Sequence, residues 1–269
     1  MYIASPHDSH ADFASACLDA GKPVLCEKPL TPTLAQTRRL VAQSTGQRVF
    51  LMEALWTRFL PLYAQVAHWL QAGAIGELRS IHSSFCFQVP YQAHSRLFDP
   101  RRAGGCLLDI GIYNLAVTRW ALAAAWGHCP EPSSLQASGQ LAPSGVDQHV
   151  QARLGFPGGV EASFTCAFDQ ASDNALRIGG TEGEIRVPRN FWEATAAELL
   201  QPGRPSQTAQ APWRVNGFEY EIEAAMQAIR GGLIECPRMP HAESLALSGW
   251  LDALRREVGV RYPFERAGA

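Results

Sequence analysis

The first 55 residues alternate between two periodicities, and this alternation limits the fold more than any other feature of the chain. Short apolar runs at Tyr2-Ile3-Ala4, Val24-Leu25-Cys26 and Val49-Phe50-Leu51-Met52 have the length and continuity of buried parallel strands. Two stretches of helical spacing lie between them. His10 to Ala20 carries Phe13, Cys17 and Leu18 on one face and stops at Gly21. The next starts at Thr31, an N-cap residue followed by Pro32 at the first helical position, and carries Leu34, Arg38 and Val41 up to Gly46. Three strands joined by two helices make a βαβαβ unit, one mononucleotide-binding half of a doubly wound Rossmann fold. Ligands of such sheets lie beyond the carboxyl ends of the strands. That rule puts Cys26-Glu27-Lys28-Pro29 where chemistry is done.

No GxGxxG occurs in the chain. A complete dinucleotide fold has a second half of roughly 60 residues, at about 30 for each βαβ unit, with a glycine turn that receives the pyrophosphate. The pattern therefore predicts a partial, C-terminal half of a Rossmann domain over residues 1–55, from a truncated gene or an N-terminal deletion.

Beyond residue 55 the grammar changes. Pro61 to Gly73 reads as an amphipathic helix with Leu62, Val66, Trp69 and Leu70 inward, followed by a strand from Arg79 to Val89 and a helix from about Cys106 to Ala125. Strands then follow one another at 135–141, 148–156, 160–167, 175–178 and 184–187, with Gly158-Gly159 and Gly180-Thr181-Glu182-Gly183 as turn signals. Two helices, Glu219 to Arg230 and His241 to Val258, close the chain. The expected fold class is α/β plus α+β: a partial Rossmann domain, 1–55, and an open-faced, mostly antiparallel sheet domain with helices, 56–269.

A formal charge of −2 and the lack of any Lys/Arg block argue against nucleic acid or anionic membrane as a partner. A small-molecule substrate is the better expectation. Seven cysteines, without a CxxC pair, read as free and mostly buried thiols of a reducing compartment. No apolar run approaches the ~18 residues of a membrane span, so the expected location is cytoplasmic.

Gly104-Gly105-Cys106-Leu107-Leu108-Asp109-Ile110-Gly111-Ile112-Tyr113 is the second dense signal. Asp109 and Tyr113 are four residues apart and share one face of a helix. Gly111 inside that helix marks close approach of a ligand or of packed structure. His7 and His10 have the spacing of a metal pair, but no third ligand stands nearby, and no metal is expected.

The motifs Ser5 to His10 (SPHDSH), Cys26 to Pro29 (CEKP), Met52 to Phe59 (MEALWTRF), Asp109 to Tyr113 (DIGIY) and Gly180 to Gly183 (GTEG) occur in an order that resembles the Gfo/Idh/MocA oxidoreductases. The WTRF and DIGIY versions look most like the dihydrodiol dehydrogenase branch, which includes enzymes acting on xylose. The resemblance implies an NADP-dependent dehydrogenase, NAD being the alternative, acting on a sugar, polyol or diol. It implies a homodimer built through the antiparallel sheet. It places Lys28 at the nicotinamide and the substrate hydroxyl, often before a cis proline, and makes Tyr113 the proton carrier. Ser5, Pro6, His7, His10, Glu27, Lys28, Trp56 and Arg58 become cofactor contacts. Trp56, Phe85 and Trp192 become substrate contacts, although an aromatic on a strand face is usually core packing.

Oxidising an alcohol requires the hydroxyl proton to leave, and a free tyrosine with a pKa of about 10 is a poor base at neutral pH. A neighbouring Lys28 would favour the phenolate, with Asp109 positioning the hydroxyl or Lys28. A second reading is non-catalytic: a remnant whose sheet dimerises or binds a sugar-like ligand.

Overall fold

The computed structural model describes residues 1–265, so the last four residues of the expected second domain lie outside the described ones. It begins with β1 (Tyr2–Ile3), α1 (His10–Asp19), β2 (Val24–Glu27), α2 (Leu34–Gln47) and β3 (Leu51–Ala54). The three strands form a parallel sheet in chain order, with Ile3 opposite Cys26 and Cys26 opposite Glu53. Ile3, Ala14, Leu18, Val24, Cys26, Leu30, Leu40 and Leu51 make a small core of their own.

The two helices differ in detail from their sequence patterns. In α1 the buried residues are His10, Ala14 and Leu18, while Phe13 is 53% exposed. The face is rotated because His10 turns inward to bond two carbonyls. Thr33, rather than Thr31, caps α2 and accepts from the Gln36 N–H at 3.3 Å. The Thr31 hydroxyl is engaged elsewhere, donating to the Thr33 carbonyl at 2.9 Å. The inward face of α2 is Thr37, Leu40 and Ser44, not Arg38, because both hydroxyls find partners: Ser248 Oγ at 2.8 Å and the Val49 carbonyl at 2.6 Å.

Next come α3 (Pro61–Gln71), β4 (Leu78–Cys86), a π-helical turn Leu107–Gly111 running directly into α4 (Ile112–Trp126), and the strands β5 (Ser134–Leu141), β6 (Asp147–Phe156), β7 (Val160–Ala167), β8 (Leu176–Gly180), β9 (Glu184–Val187), β10 (Ala196–Leu200) and β11 (Gln207–Gln210). Helices α5 (Glu219–Arg230) and α6 (His241–Val258) follow. The sheet order is β11-β10-β9-β8-β4-β7-β6-β5, and the β4–β7 pairing is parallel while the others are antiparallel. Strands β10 and β11 are additions to the sequence reading. Ala196-Ala197-Glu198-Leu199-Leu200 has a helix-forming composition, yet Ala197 and Leu199 alternate into the core.

β6 shows how this sheet is dressed. Val150, Ala152, Leu154 and Phe156 point into the core and Gln151 and Arg153 away from it, so one face is covered and the other open. Helix α4, apolar on nearly all sides, lies in the covered layer; Asn114 Nδ2 donates to Ser83 Oγ of β4 at 2.8 Å.

The two sheets are tied together by the end of the chain. The Leu51 N–H donates to the Ile234 carbonyl at 3.0 Å, and His241 Nε2 lies 3.0 Å from the Leu51 carbonyl. The Leu34 N–H donates to Asp252 Oδ2 at 3.1 Å. Helix α6 thus fixes β3 and α2 against the larger sheet, and with them the turn that carries Lys28. Among the described residues, no helix is long and apolar enough to cross a membrane.

Candidate active site

The parallel strands β1 and β2 end side by side, and the turns after them open into a cleft of about 340 Å³ lined by Ala4, Ser5, Pro6, His7, Glu27, Lys28, Arg96 and Asp109. This is the carboxyl end of the sheet, where a ligand meets backbone groups left unpaired by the strands. His10 holds the two turns together, its Nε2 2.8 Å from the Ser5 carbonyl and its Nδ1 2.8 Å from the Pro29 carbonyl. It shapes the cleft from behind, whereas His7 faces into it. The two imidazoles serve different partners, and among the described residues no His, Cys, Asp or Glu group is arranged to hold a metal.

Lys28 precedes a cis Lys28–Pro29 bond. Its side chain is 13% exposed. The ammonium donates to the Asp109 carbonyl, stands 3.9 Å from Asp109 Oδ1, and lies 5.0 Å from the centroid of the Tyr113 ring. The three residues singled out from two distant motifs therefore meet. They do so through the π-helical turn, which re-aims Asp109 relative to a regular helix. Gly111 makes that turn fit: a Cβ there would come within 2.9 Å of Cys166 Sγ on β7 and of Leu107 Cδ1. The close approach is to packed structure rather than to a ligand.

Burial alone would raise the Asp109 carboxyl, but Lys28, then His7, and then Arg96 outweigh it and hold the group below its ordinary range. Burial lowers the Lys28 ammonium, with Asp109 and Glu27 pulling in the opposite direction. His7 is pushed down to about 3, chiefly by burial and then by Lys28, so its imidazole is neutral at pH 7. Its Nε2 is 3.6 Å from Asp109 Oδ1, too long for a strong hydrogen bond, and Nδ1 lies 3.3 Å from the Ala103 carbonyl.

Tyr113 departs from expectation. Burial, and then the negative charge of Glu27, raise its phenol above the ordinary value, while Trp56 works the other way as a hydrogen-bond neighbour. The ammonium of Lys28 sits over the ring face and does not reverse this. At neutral pH Tyr113 is a phenol, a proton donor.

An aromatic wall continues from Tyr113. Phe85 lies 5.6 Å from the Tyr113 ring and stacks face to face on Trp192 at 3.4 Å. Trp56, on the short turn after β3, stacks on Phe218 at 4.3 Å; a Cβ on Gly217 would fall 2.6 Å from its ring, so the 213–218 segment closes over it. His10, Tyr113, Trp56, Phe85 and Trp192 do not line the cleft itself, although Tyr113 adjoins Lys28, and Arg58 points elsewhere altogether. It binds Glu243 at 3.1 Å and the Arg238 carbonyl, and Arg119 binds the same Glu243 at 2.9 and 3.1 Å. Its role there is to share a buried carboxylate.

Three acidic or basic residues near the site carried no individual sequence signal. Arg96 comes from a polar loop and reaches Asp109 Oδ1 at 2.9 Å. Glu53, opposite Cys26, accepts from the Leu30 N–H at 2.8 Å beneath the cis-proline turn and is raised by burial to about 7. Glu221 on α5 is buried, has one carboxyl oxygen without a partner, and is raised to about 9 by burial and then by Glu27.

The residues at the cleft fit the nicotinamide end of a dinucleotide. They offer a pocket at the strand ends with Lys28 among its lining, and Tyr113 adjoins that lysine, its ring centroid 5.0 Å from the ammonium.

Comparison with known proteins agrees with this geometry. Residues 1–54 match the oxidoreductase family, NAD-binding Rossmann fold, and residues 63–186 match the GFO/IDH/MocA C-terminal domain. A trans-1,2-dihydrobenzene-1,2-diol dehydrogenase of Mus musculus is 36% identical over 272 residues, covering 98% of this chain and 79% of the relative. A 3-ketoreductase from Actinomadura kijaniata, solved with NADP and TDP-benzene, superposes with a TM-score of 0.81 at 28% identity, over 96% of this chain and 77% of that one. It has also been solved with one tyrosine changed to phenylalanine and with one lysine changed to alanine. The aldose-aldose oxidoreductase of Caulobacter crescentus shares the fold, with a TM-score of 0.83 at 24% identity over 95% of this chain and 76% of its own. The chain belongs to the Gfo/Idh/MocA family of NAD(P)-dependent oxidoreductases.

Proposed function

We propose that this chain transfers hydride between NADP and a CH–OH group of a sugar, polyol or trans-dihydrodiol, with Lys28 and Tyr113 handling the proton. The observation that carries the reading is the convergence of Lys28, Asp109 and Tyr113 at the strand ends, beside the Phe85–Trp192 stack. The Mus musculus relative is named for a cyclic diol, and the 3-ketoreductase was solved with NADP. In that ketoreductase the altered lysine and tyrosine lie almost as far apart in sequence as Lys28 and Tyr113.

A nicotinamide bound in the cleft would supply the two-electron chemistry. Ser5, Pro6, His7, Glu27 and Trp56 would hold it, and the chain's own groups manage the proton. In the direction of reduction, Tyr113 donates its phenolic proton to the carbonyl oxygen as that oxygen gains charge. Lys28 stabilises the developing negative charge, and Asp109 holds Lys28 in place. In oxidation the same groups act in reverse. The aromatic pair Phe85–Trp192 offers a flat platform for the apolar face of a ring. The open polar face of the large sheet, around Gln136, Gln151, Arg153 and Thr165, is the surface through which we propose that two copies associate.

The test is titration of the 269-residue chain with NADPH, followed by cofactor fluorescence, and then a turnover screen over trans-dihydrodiols, aldoses and polyols. Saturable binding with turnover of one class supports the reading. A folded sample that fails to bind at millimolar cofactor contradicts it.

A further inference from the structure

We propose that Arg96 is a positioning residue, which keeps Asp109 a carboxylate against Lys28 throughout the reaction, and that Gly104 is glycine in order to seat Arg96. The inference rests on the proton-transfer role given above to Lys28 and Tyr113.

One oxygen, Asp109 Oδ1, is approached by three groups from three elements. His7 Nε2, from the turn after β1, is 3.6 Å away; Lys28 Nζ, from the end of β2, is 3.9 Å away; Arg96 Nη1, from the loop after β4, is 2.9 Å away. Tyr113 on α4 and Glu27 complete the titratable surroundings. Because the Lys28 ammonium is engaged by the Asp109 backbone carbonyl, Arg96 makes the direct hydrogen bond to the carboxylate.

A half-exposed arginine on a loop would ordinarily be a weak and mobile partner. Here the backbone is clamped. The Gly105 N–H donates to the Leu97 carbonyl at 2.9 Å and the Phe98 N–H to the Ser95 carbonyl at 3.0 Å. A Cβ on Gly104 would fall 2.7 Å from the Leu97 oxygen and 2.8 Å from the Arg96 oxygen, and neither backbone atom can yield. Gly104 is itself fixed by its N–H to the Asp99 carbonyl at 3.0 Å and by Tyr262 Oη on its carbonyl at 2.8 Å. The segment that carries Arg96 is therefore pressed onto the start of the π-helical turn that carries Asp109.

The chemistry requires such a group. When Lys28 turns its charge to the developing negative charge on the substrate, Asp109 keeps less of that compensation, and a buried carboxyl that loses compensation tends to take up a proton. His7, pushed down to about 3, is neutral at pH 7 and adds its charge only in the acid range. A guanidinium does not titrate, so Arg96 supplies a charge that is constant through the cycle.

The test is carbon NMR of the full chain labelled at aspartate carboxyls, with the Asp109 signal identified by its loss in Asp109→Asn, for wild type, Arg96→Gln and Arg96→Lys. The expected result is an Asp109 titration midpoint raised by about 1 unit or more in Arg96→Gln and largely restored in Arg96→Lys, with the acid limb of turnover moving the same way. An unchanged midpoint in Arg96→Gln overturns the proposal whether or not turnover is seen. A shifted midpoint in a chain that turns over no substrate supports the Arg96–Asp109 link and counts against the dehydrogenase reading. Gly104→Ala, read by the same signal, is expected to reproduce Arg96→Gln; an Asp109 midpoint like that of wild type in a folded Gly104→Ala sample would contradict the seating role.

Discussion

The ammonium of Lys28 lies over the face of the Tyr113 ring, 5.0 Å from its centroid. A cation in that position is stabilised against the ring by about 0.5–2 kcal/mol, while Trp56 is the hydrogen-bond neighbour of the phenol. The two groups are neighbours in space, and the proposed mechanism gives them separate tasks, charge stabilisation for one and proton donation for the other.

The Glu221 carboxyl gives the fold a dependence on pH. Its value of about 9 in the folded chain, against an ordinary 4.5, means that the folded state binds more protons than the unfolded state between those limits. Stability from this group is complete below about pH 4.5 and is lost as pH rises towards 9. Glu221→Gln, which stays neutral, is expected to melt at a higher temperature than wild type at about pH 8, by an amount equivalent to about 1–3 kcal/mol, with the gap closing towards pH 5. Thermal unfolding at the two pH values measures it; a gap that is equal at both would contradict the assignment.

His7 has the opposite sign. Its folded value of about 3 lies below the ordinary 6.5, so its contribution is present above 6.5 and declines as the medium is acidified. In His7→Gln the acid side of the stability curve is expected to flatten over that window, as read by denaturant midpoints from pH 7 down to pH 4.

Arg58 and Glu243 test stability apart from chemistry. Arg119 is buried, and its Nε and Nη2 depend on Glu243. Glu243→Gln leaves two guanidinium groups without their charge partner and is expected to cost about 3–5 kcal/mol. Arg58→Ala is expected to lower stability less and to leave cofactor affinity within a factor of two of wild type. A large loss of cofactor affinity in a folded Arg58→Ala sample would restore Arg58 to the cofactor site.

Two glycines in helical segments separate packing from propensity. Gly111→Ala would force a methyl against Cys166 and Leu107 and is expected to destabilise by about 1–3 kcal/mol. At Gly46, near the end of α2, an added methyl would meet nothing within 4 Å, so Gly46→Ala is expected to gain up to about 1 kcal/mol. Urea denaturation of both variants checks the pair of signs.

Local pattern was enough to locate the half-Rossmann unit and most strands of the second sheet, since their apolar periodicity is what burial on one face imposes. The motifs also singled out Lys28, Asp109 and Tyr113, which the fold brings together. Other features depend on contacts that no local pattern encodes. Phe13 turned outward because His10 was drawn in by two carbonyls. Ala196–Leu200 became a strand because its second half pairs with β9 while Ala197 and Leu199 turn into the core. Arg58 left the cleft for Glu243, 185 positions away. Arg96 joined Asp109 through a glycine whose importance lies in the backbone oxygens above it.

The most direct measurement is the rate of NADPH oxidation with a carbonyl substrate of the class found by the screen, for wild type, Tyr113→Phe and Lys28→Met, with cofactor binding measured in the same samples. The account requires both variants to bind NADPH and to lose turnover by about 10²–10⁴-fold. Near-normal turnover in Tyr113→Phe or Lys28→Met would contradict it.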